Sequence, residues 1–383
     1  MSPNPLFGVL FHWLGGLASG SFYVPYKGVP RWSWETYWLA GGIFSWLIAP
    51  WAAGAILSND LWAVLQETDS RTFWLTYLMG VLWGTGGLTF GLTMRYLGMS
   101  LGMAIALGFC AAFGTLIPPL VKGEFAERLL ATTSGQMVFA GVGICLAGIA
   151  IGAIAGLRKE KEVRTTSESS VKEFDFPKGL LIATFSGIMS ACFAFGFQFG
   201  EPISKLSAQH GTGPLWVGLP VLVVILLGGL TTNVVWCGIL HVRNGSGREY
   251  FSTHANRRTT LGFVATEPGH TVPTAATGME ATTGRVPLIR NWFFCAVAGV
   301  TWYLQFFFYQ MGESQMGDYR FSSWTLHMAS IIVFSTLWGL YFREWRGVRV
   351  RTRMIVAMML LTLVGSTVVI GWGNFIAGTP VAH

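Results

Sequence analysis

The chain has 383 residues, of which 52% are hydrophobic and 14% aromatic, while only 11% are charged. A soluble globular domain carries about twice that charge, so a water-exposed fold is excluded for most of the length. The formal charge of +7 is dispersed over several loops, which fits topology signals and contacts to anionic membrane lipid, with no nucleic-acid partner.

Ten apolar runs of bilayer-crossing length follow one another. The first, 5–26, lacks the basic start of a secretory signal and is expected to be kept as a helix. It carries His12, Trp13, Tyr23 and Tyr26. The second, 36–57, follows Glu35 in WSWETYW, and its Tyr37, Trp38 and Trp51 are assigned to the interfacial aromatic belt. The third, 72–92, holds Trp83, and the fourth, 100–121, ends near two candidate kinks, Pro118 and Pro119. In the fifth, 136–157, Gly148, Gly152 and Gly156 recur on one face. That spacing suits close helix approach in lipid, either inside the chain or at a homodimer seam.

A polar linker, 158–177, precedes the sixth run, 179–200, and the seventh, 215–240, which holds a third candidate kink at Pro220. The segment 241–290 is rich in Gly, Thr and Arg and reads as a mobile insertion, with a regulatory or docking role left open. The eighth run, 291–310, contains Trp302, Tyr303 and Gln305; the ninth, 323–342, contains Trp324 and His327; the tenth is 355–375. None shows the period-two alternation of a membrane barrel.

All 25 Lys and Arg residues lie outside these runs, and 20 of them fall in the five loops after odd-numbered helices. Basic loops stay in the cytoplasm, so both termini are expected in the periplasm. The linker divides the helices five and five. An odd count makes the second set enter the membrane in the opposite sense, the arithmetic of an inverted repeat. The expected fold is thus an all-α integral membrane protein, with repeats at 1–157 and 178–383.

All 18 acidic residues lie in loops or at helix ends. No HExxH, paired aspartate or Gly-rich phosphate loop is present, so enzymatic activity is not expected, nor a metal or cofactor. The five cysteines sit inside apolar runs without a CxxC partner and read as packing residues. Proton coupling has three candidates. His12 and His327 are embedded imidazoles, each either a proton carrier or a neutral bond between helices. Glu35 is either an acceptor at the cytoplasmic mouth or a carboxylate favoured by its helix dipole. For substrate binding, Gln305 is either glue between helices or a ligand for hydroxyl groups. Trp13, Tyr23, Tyr26, Trp83, Trp302, Tyr303 and Trp324 are candidate cavity walls, because apolar ring faces stack on the C–H face of a sugar.

The stretches WSWETYWLAGGIFSWLIAPW (32–51), GLTMRYLGMSLGMAIALG (91–108), WYLQFFFYQMG (302–312) and SSWTLHM (322–328) resemble the bacterial L-rhamnose–proton symporters, of the drug/metabolite transporter superfamily. The resemblance covers nearly the whole chain. It implies a ten-helix, two-repeat carrier in the inner membrane that takes up a deoxy-sugar together with a proton. The matching positions are His12, Trp32 to Glu35, Trp83, Arg95, Gln305 and His327. The chain departs from the family in its third helix, where Gly87, Thr89 and Phe90 replace asparagines and a tyrosine. That bears on which sugar is carried more than on transport itself. The segment 241–290 also exceeds the family's usual length. Two other readings remain open: an exporter of the same superfamily, and a sensor that signals through 241–290.

Overall fold

The structure, a computed structural model, describes residues 4–97, 99–121, 123, 125–164, 175–254, 285–343 and 345–378. The described residues are almost entirely helical. They contain α1 (Pro5–Ser21), α2 (Trp34–Leu57), α3 (Leu61–Glu67), α4 (Ser70–Leu97), α5 (Met99–Val121) and α6 (Thr133–Arg164). After the linker come α7 (Phe176–Phe199), α8 (Glu201–Gln209), α9 (Leu219–Asn244), α10 (Leu288–Ser314), α11 (Ser323–Tyr341) and α12 (Val350–Gly378). Among the described residues, eight helices are long and apolar enough to cross a membrane. Ile105–Val121 of α5 is a shorter apolar helix, and α1 has 17 residues.

Local chemistry sets the helix ends. Asn4 caps α1 by accepting from the Leu6 amide, ahead of Pro5, and Asp175 caps α7 by accepting from the Lys178 amide. Gly245, at φ 65°, closes α9 in the left-handed conformation. Pro220 lies in the first turn of α9, so it starts that helix and does not kink it. Pro118 and Pro119 do lie inside α5. In α2 the regular ladder gives way to a π-turn over Ile43–Ile48.

The helices pair in a definite pattern: α1 lies on α10 and α11, α7 on α4 and α5, and α9 on α4. In addition α10 packs on α2, and α12 on α6. Glycine makes the closest crossings. A Cβ at Gly80 of α4 would overlap the Ile225 carbonyl oxygen of α9, and one at Gly299 of α10 would overlap the Gly41 carbonyl oxygen of α2. The α6 series is also internal: Gly148 faces Leu363 and Gly152 faces Met359, both on α12. Those two glycines therefore serve an intrachain contact.

The loops sort themselves between the two ends of the bundle. The basic loops hold one another: Arg31 donates to the Arg285 carbonyl, Arg290 to the Gly28 carbonyl, and the Lys27 ammonium lies 3.4 Å from the Phe342 ring centroid. Glu162 accepts from the Arg349 amide at 2.7 Å. At the other end the Asn59 amide donates to Thr212, the Asn4 amide to Gln315, and Thr132 bonds Tyr319. Of the expected insertion, residues up to His254 fold back onto the bundle, and an isolated bridge joins His254 to Arg285. The rest of it, 255–284, lies outside the described residues, as does 165–174 of the linker.

Two short helices absent from the sequence reading, α3 and α8, meet at the less basic end. His210, just after α8, bonds Glu67 at 3.1 Å and lies 3.7 Å from Asp60. The Glu67 hydrogen bond, with help from Asp60, raises the His210 pKa. A raised folded-state pKa gives a contribution that is complete below the ordinary histidine range and is lost as pH rises through the raised value. His210→Ala therefore narrows the difference in melting temperature between pH 6 and pH 8, and wild type gains more than the variant at the lower pH.

Candidate functional site

Helix α1 turns an unusual face inward. Its buried residues include Gly8, His12, Gly15, Gly16 and Gly20. A Cβ at Gly15 would lie 2.9 Å from the Gln305 carbonyl oxygen and 3.0 Å from the His327 ring, so glycine is what lets α10 and α11 approach. Gly312 of α10 makes the matching room for His12, whose ring a Cβ there would meet at 2.7 Å. The Ser330 hydroxyl donates to the His12 carbonyl at 2.9 Å and pins the crossing.

Within this packing His12 and His327 form a pair. Both are almost fully buried, with ring centroids 6.2 Å apart. Tyr309 of α10 packs beside both, 5.5 Å from His12 and 5.3 Å from His327. Among the described residues, neither ring nitrogen of His12, nor Nδ1 of His327, has a hydrogen-bond partner. The Gln305 amide nitrogen lacks one too. Leaving such groups unbonded in the interior costs about 1–3 kcal/mol each. Four such groups here make this a candidate for bonding something besides the protein itself.

An aromatic layer continues from the pair. Trp324 stacks on Phe193 at 5.6 Å and donates its indole N–H to the Cys110 carbonyl. Trp83 packs against both Phe193 and Phe306, at 5.3 and 5.2 Å. Along α10, Phe306 leads to Trp302, which packs on Phe22 and Trp38. Here lies a small cavity, bordered by Phe22, Tyr26, Trp38, Ser45, Trp46 and Trp302. A larger crevice, lined by Trp51, Trp62, Phe73 and Val223, is mainly apolar and offers few polar groups to a sugar.

The candidates from the sequence thus divide. His12, His327, Gln305, Trp83, Trp302 and Trp324 fall along one connected interior path. Tyr23 is buried beside Phe22 and Trp38, next to that path. Trp13 points elsewhere, onto Phe334 at 5.6 Å. Glu35 belongs to a separate cluster, where it accepts from Asn244 at 2.9 Å and Ser246 at 2.6 Å. Glu249 joins the same end of the bundle by accepting from Ser33 and Thr36. Trp38, assigned to the interfacial belt, is instead buried, and its N–H donates to Asn233 at 2.9 Å. Sequence reasoning missed Tyr309, Phe193, Ser45 and Trp46. Only the run YLQFFFYQ hinted at Tyr309, through its i, i+4 spacing from Gln305.

Comparison with known proteins identifies the family. The family model described as L-rhamnose-proton symport protein matches residues 1–257 and 274–378, which leaves a gap within the expected insertion. The chain is 35% identical to the "L-rhamnose-proton symporter" of Cronobacter sakazakii over 376 residues, covering 97% of this chain and 99% of that one. It is equally similar, with the same coverage, to the proteins of that name from Salmonella dublin and Salmonella enteritidis. These matches, spanning almost the whole chain, make it a member of the L-rhamnose-proton symport protein family.

Proposed function

We propose that the chain is a secondary active transporter that takes up L-rhamnose, or a closely related sugar, together with a proton across the bacterial inner membrane. We infer ten crossings, two inverted five-helix repeats and both termini in the periplasm. The packing pattern supports the repeat. Shifting every long helix by five positions turns α1 on α10 and α11 into α7 on α4 and α5, and turns α9 on α4 into α2 on α10. The α6–α12 pair maps onto itself. The convergence of the basic loops at one end supports the orientation.

The observation that carries the coupling is the His12–His327 pair with its unbonded nitrogens. Two imidazolium charges about 6 Å apart repel by roughly 3 kcal/mol at an effective dielectric of about 20. The pair therefore holds one proton at a time. Tyr309 and Gln305, beside it on α10, sense whether that proton is present and link it to the sugar's hydroxyls. Glu35, in its own buried network near the basic end, acts as the acceptor at the inner mouth. Alternating access then follows from rocking one repeat against the other around this fixed centre.

Purified protein in liposomes tests the reading. With the outside made acid, wild type accumulates labelled L-rhamnose above the external concentration. Equilibration alone, for rhamnose and for its close stereoisomers, would remove the proton from the account.

A further inference from the structure

We propose that the small cavity beside the π-turn of α2 is the sugar site, with the Ser45 hydroxyl and the Trp46 and Trp302 indole N–H groups bonding the sugar's hydroxyls. The inference rests on the sugar-uptake reading above and assigns it a place. A serine or threonine inside a membrane helix ordinarily bonds a carbonyl one turn back. Thr89, Thr184, Thr301, Thr336 and Thr362 all do so in this chain. Ser45 does not, although it is only 1% exposed. Ser45 lies within the π-turn over Ile43–Ile48, where the regular helical ladder is interrupted.

The two indoles beside it repeat the anomaly. Trp46, 3% exposed, and Trp302 both carry N–H groups without a protein acceptor, whereas Trp38 and Trp324 have one. Trp32, Trp34 and Trp51 also lack acceptors but do not border this cavity. Three buried donors around one space form a polar fringe, and Phe22, Tyr26 and Trp38 supply ring faces for C–H groups. Gly41, Gly42 and Gly299 also border it and bring α2 and α10 close together: a Cβ on Gly42 would overlap the Trp46 ring, and one on Gly299 the Gly41 carbonyl oxygen. This is the equipment for a compact polyhydroxylated ring with one apolar edge.

In this conformer the free space is ≈ 10 Å³, room for about one water. The site is thus contracted, and the sugar enters when α2 and α10 part. Helix α10 also joins this site to the histidine pair. Trp302, Phe306 and Tyr309 lie on one face of it, and at 1.5 Å per residue the step from 302 to 309 is about 10 Å. Sugar and proton therefore occupy neighbouring sites on one helix.

The test is binding of L-rhamnose, its single-deoxy analogues and a panel of other sugars to purified full-length protein, wild type against Ser45→Ala and Trp46→Phe. Each variant is expected to weaken sugar binding about tenfold while its melting temperature without sugar stays near wild type. One deoxy analogue should lose affinity for wild type but not for Ser45→Ala, a non-additivity that a merely structural serine does not produce. If wild type binds rhamnose and both variants bind it equally well, the cavity assignment is wrong and the uptake reading stands. If wild type ignores rhamnose but binds another sugar in a Ser45-dependent way, the assignment stands and rhamnose falls. Failure of wild type to bind any sugar overturns both.

Discussion

His327→Gln abolishes proton-driven accumulation. Glutamine keeps a hydrogen-bonding side chain of similar length but takes up no proton near neutral pH. In liposomes held one pH unit more acid outside, one proton per sugar supports about tenfold accumulation, because one pH unit is worth 1.36 kcal/mol. In the variant the ratio falls to about one, while exchange of labelled for unlabelled sugar continues. His12→Gln is expected to behave in the same way, because in the proposed mechanism the two rings, 6.2 Å apart and both beside Tyr309, carry one proton between them. The double variant is no worse than either single one, as expected of residues that act as a unit. A tenfold ratio retained in either single variant would show that the proton travels elsewhere, with Glu35 the next candidate.

Gly80→Ala costs on the order of 3 kcal/mol and leaves little folded protein. The added methyl overlaps the Ile225 carbonyl oxygen, which is backbone and cannot rotate away. Gly228→Ala, from the α9 side of the same crossing, meets the Tyr77 carbonyl oxygen and does comparable damage. Gly87→Ala is the control within the same helix. Nothing lies within 4 Å of its Cβ, so the better helix propensity of alanine leaves stability equal or slightly raised. Thermal melting in detergent with a fluorescence-size readout separates the three. Equal stability for Gly80→Ala and Gly87→Ala would mean that the α4–α9 crossing is looser than described.

Much of the architecture could be read from residue types, because a bilayer leaves few choices. A run such as 215–240 must be helical to bond its own backbone in lipid, and Lys27, Arg31, Arg285 and Arg290 must gather where water is. The contacts bear out that gathering. What escaped were features set by neighbours far apart in the chain. Trp38 near a helix end looks like any interfacial tryptophan until Asn233, 195 residues on, appears beside its N–H. The role of Gly148 and Gly152 was undecidable until α12 was seen against them. The π-turn over Ile43–Ile48 has no sequence mark, so nothing in the sequence singles out Ser45. His12 and His327, 315 residues apart, were each suspected, yet only the fold shows them sharing one space around Tyr309.

The coupling of sugar to proton is most directly measured by the pH of a weakly buffered medium around liposomes that contain the protein and have no imposed gradient. Adding L-rhamnose outside should make that medium more alkaline, with one proton taken up per sugar entering, and a protonophore should erase the signal. Sugar entry at the same rate with no change in external pH would contradict the account.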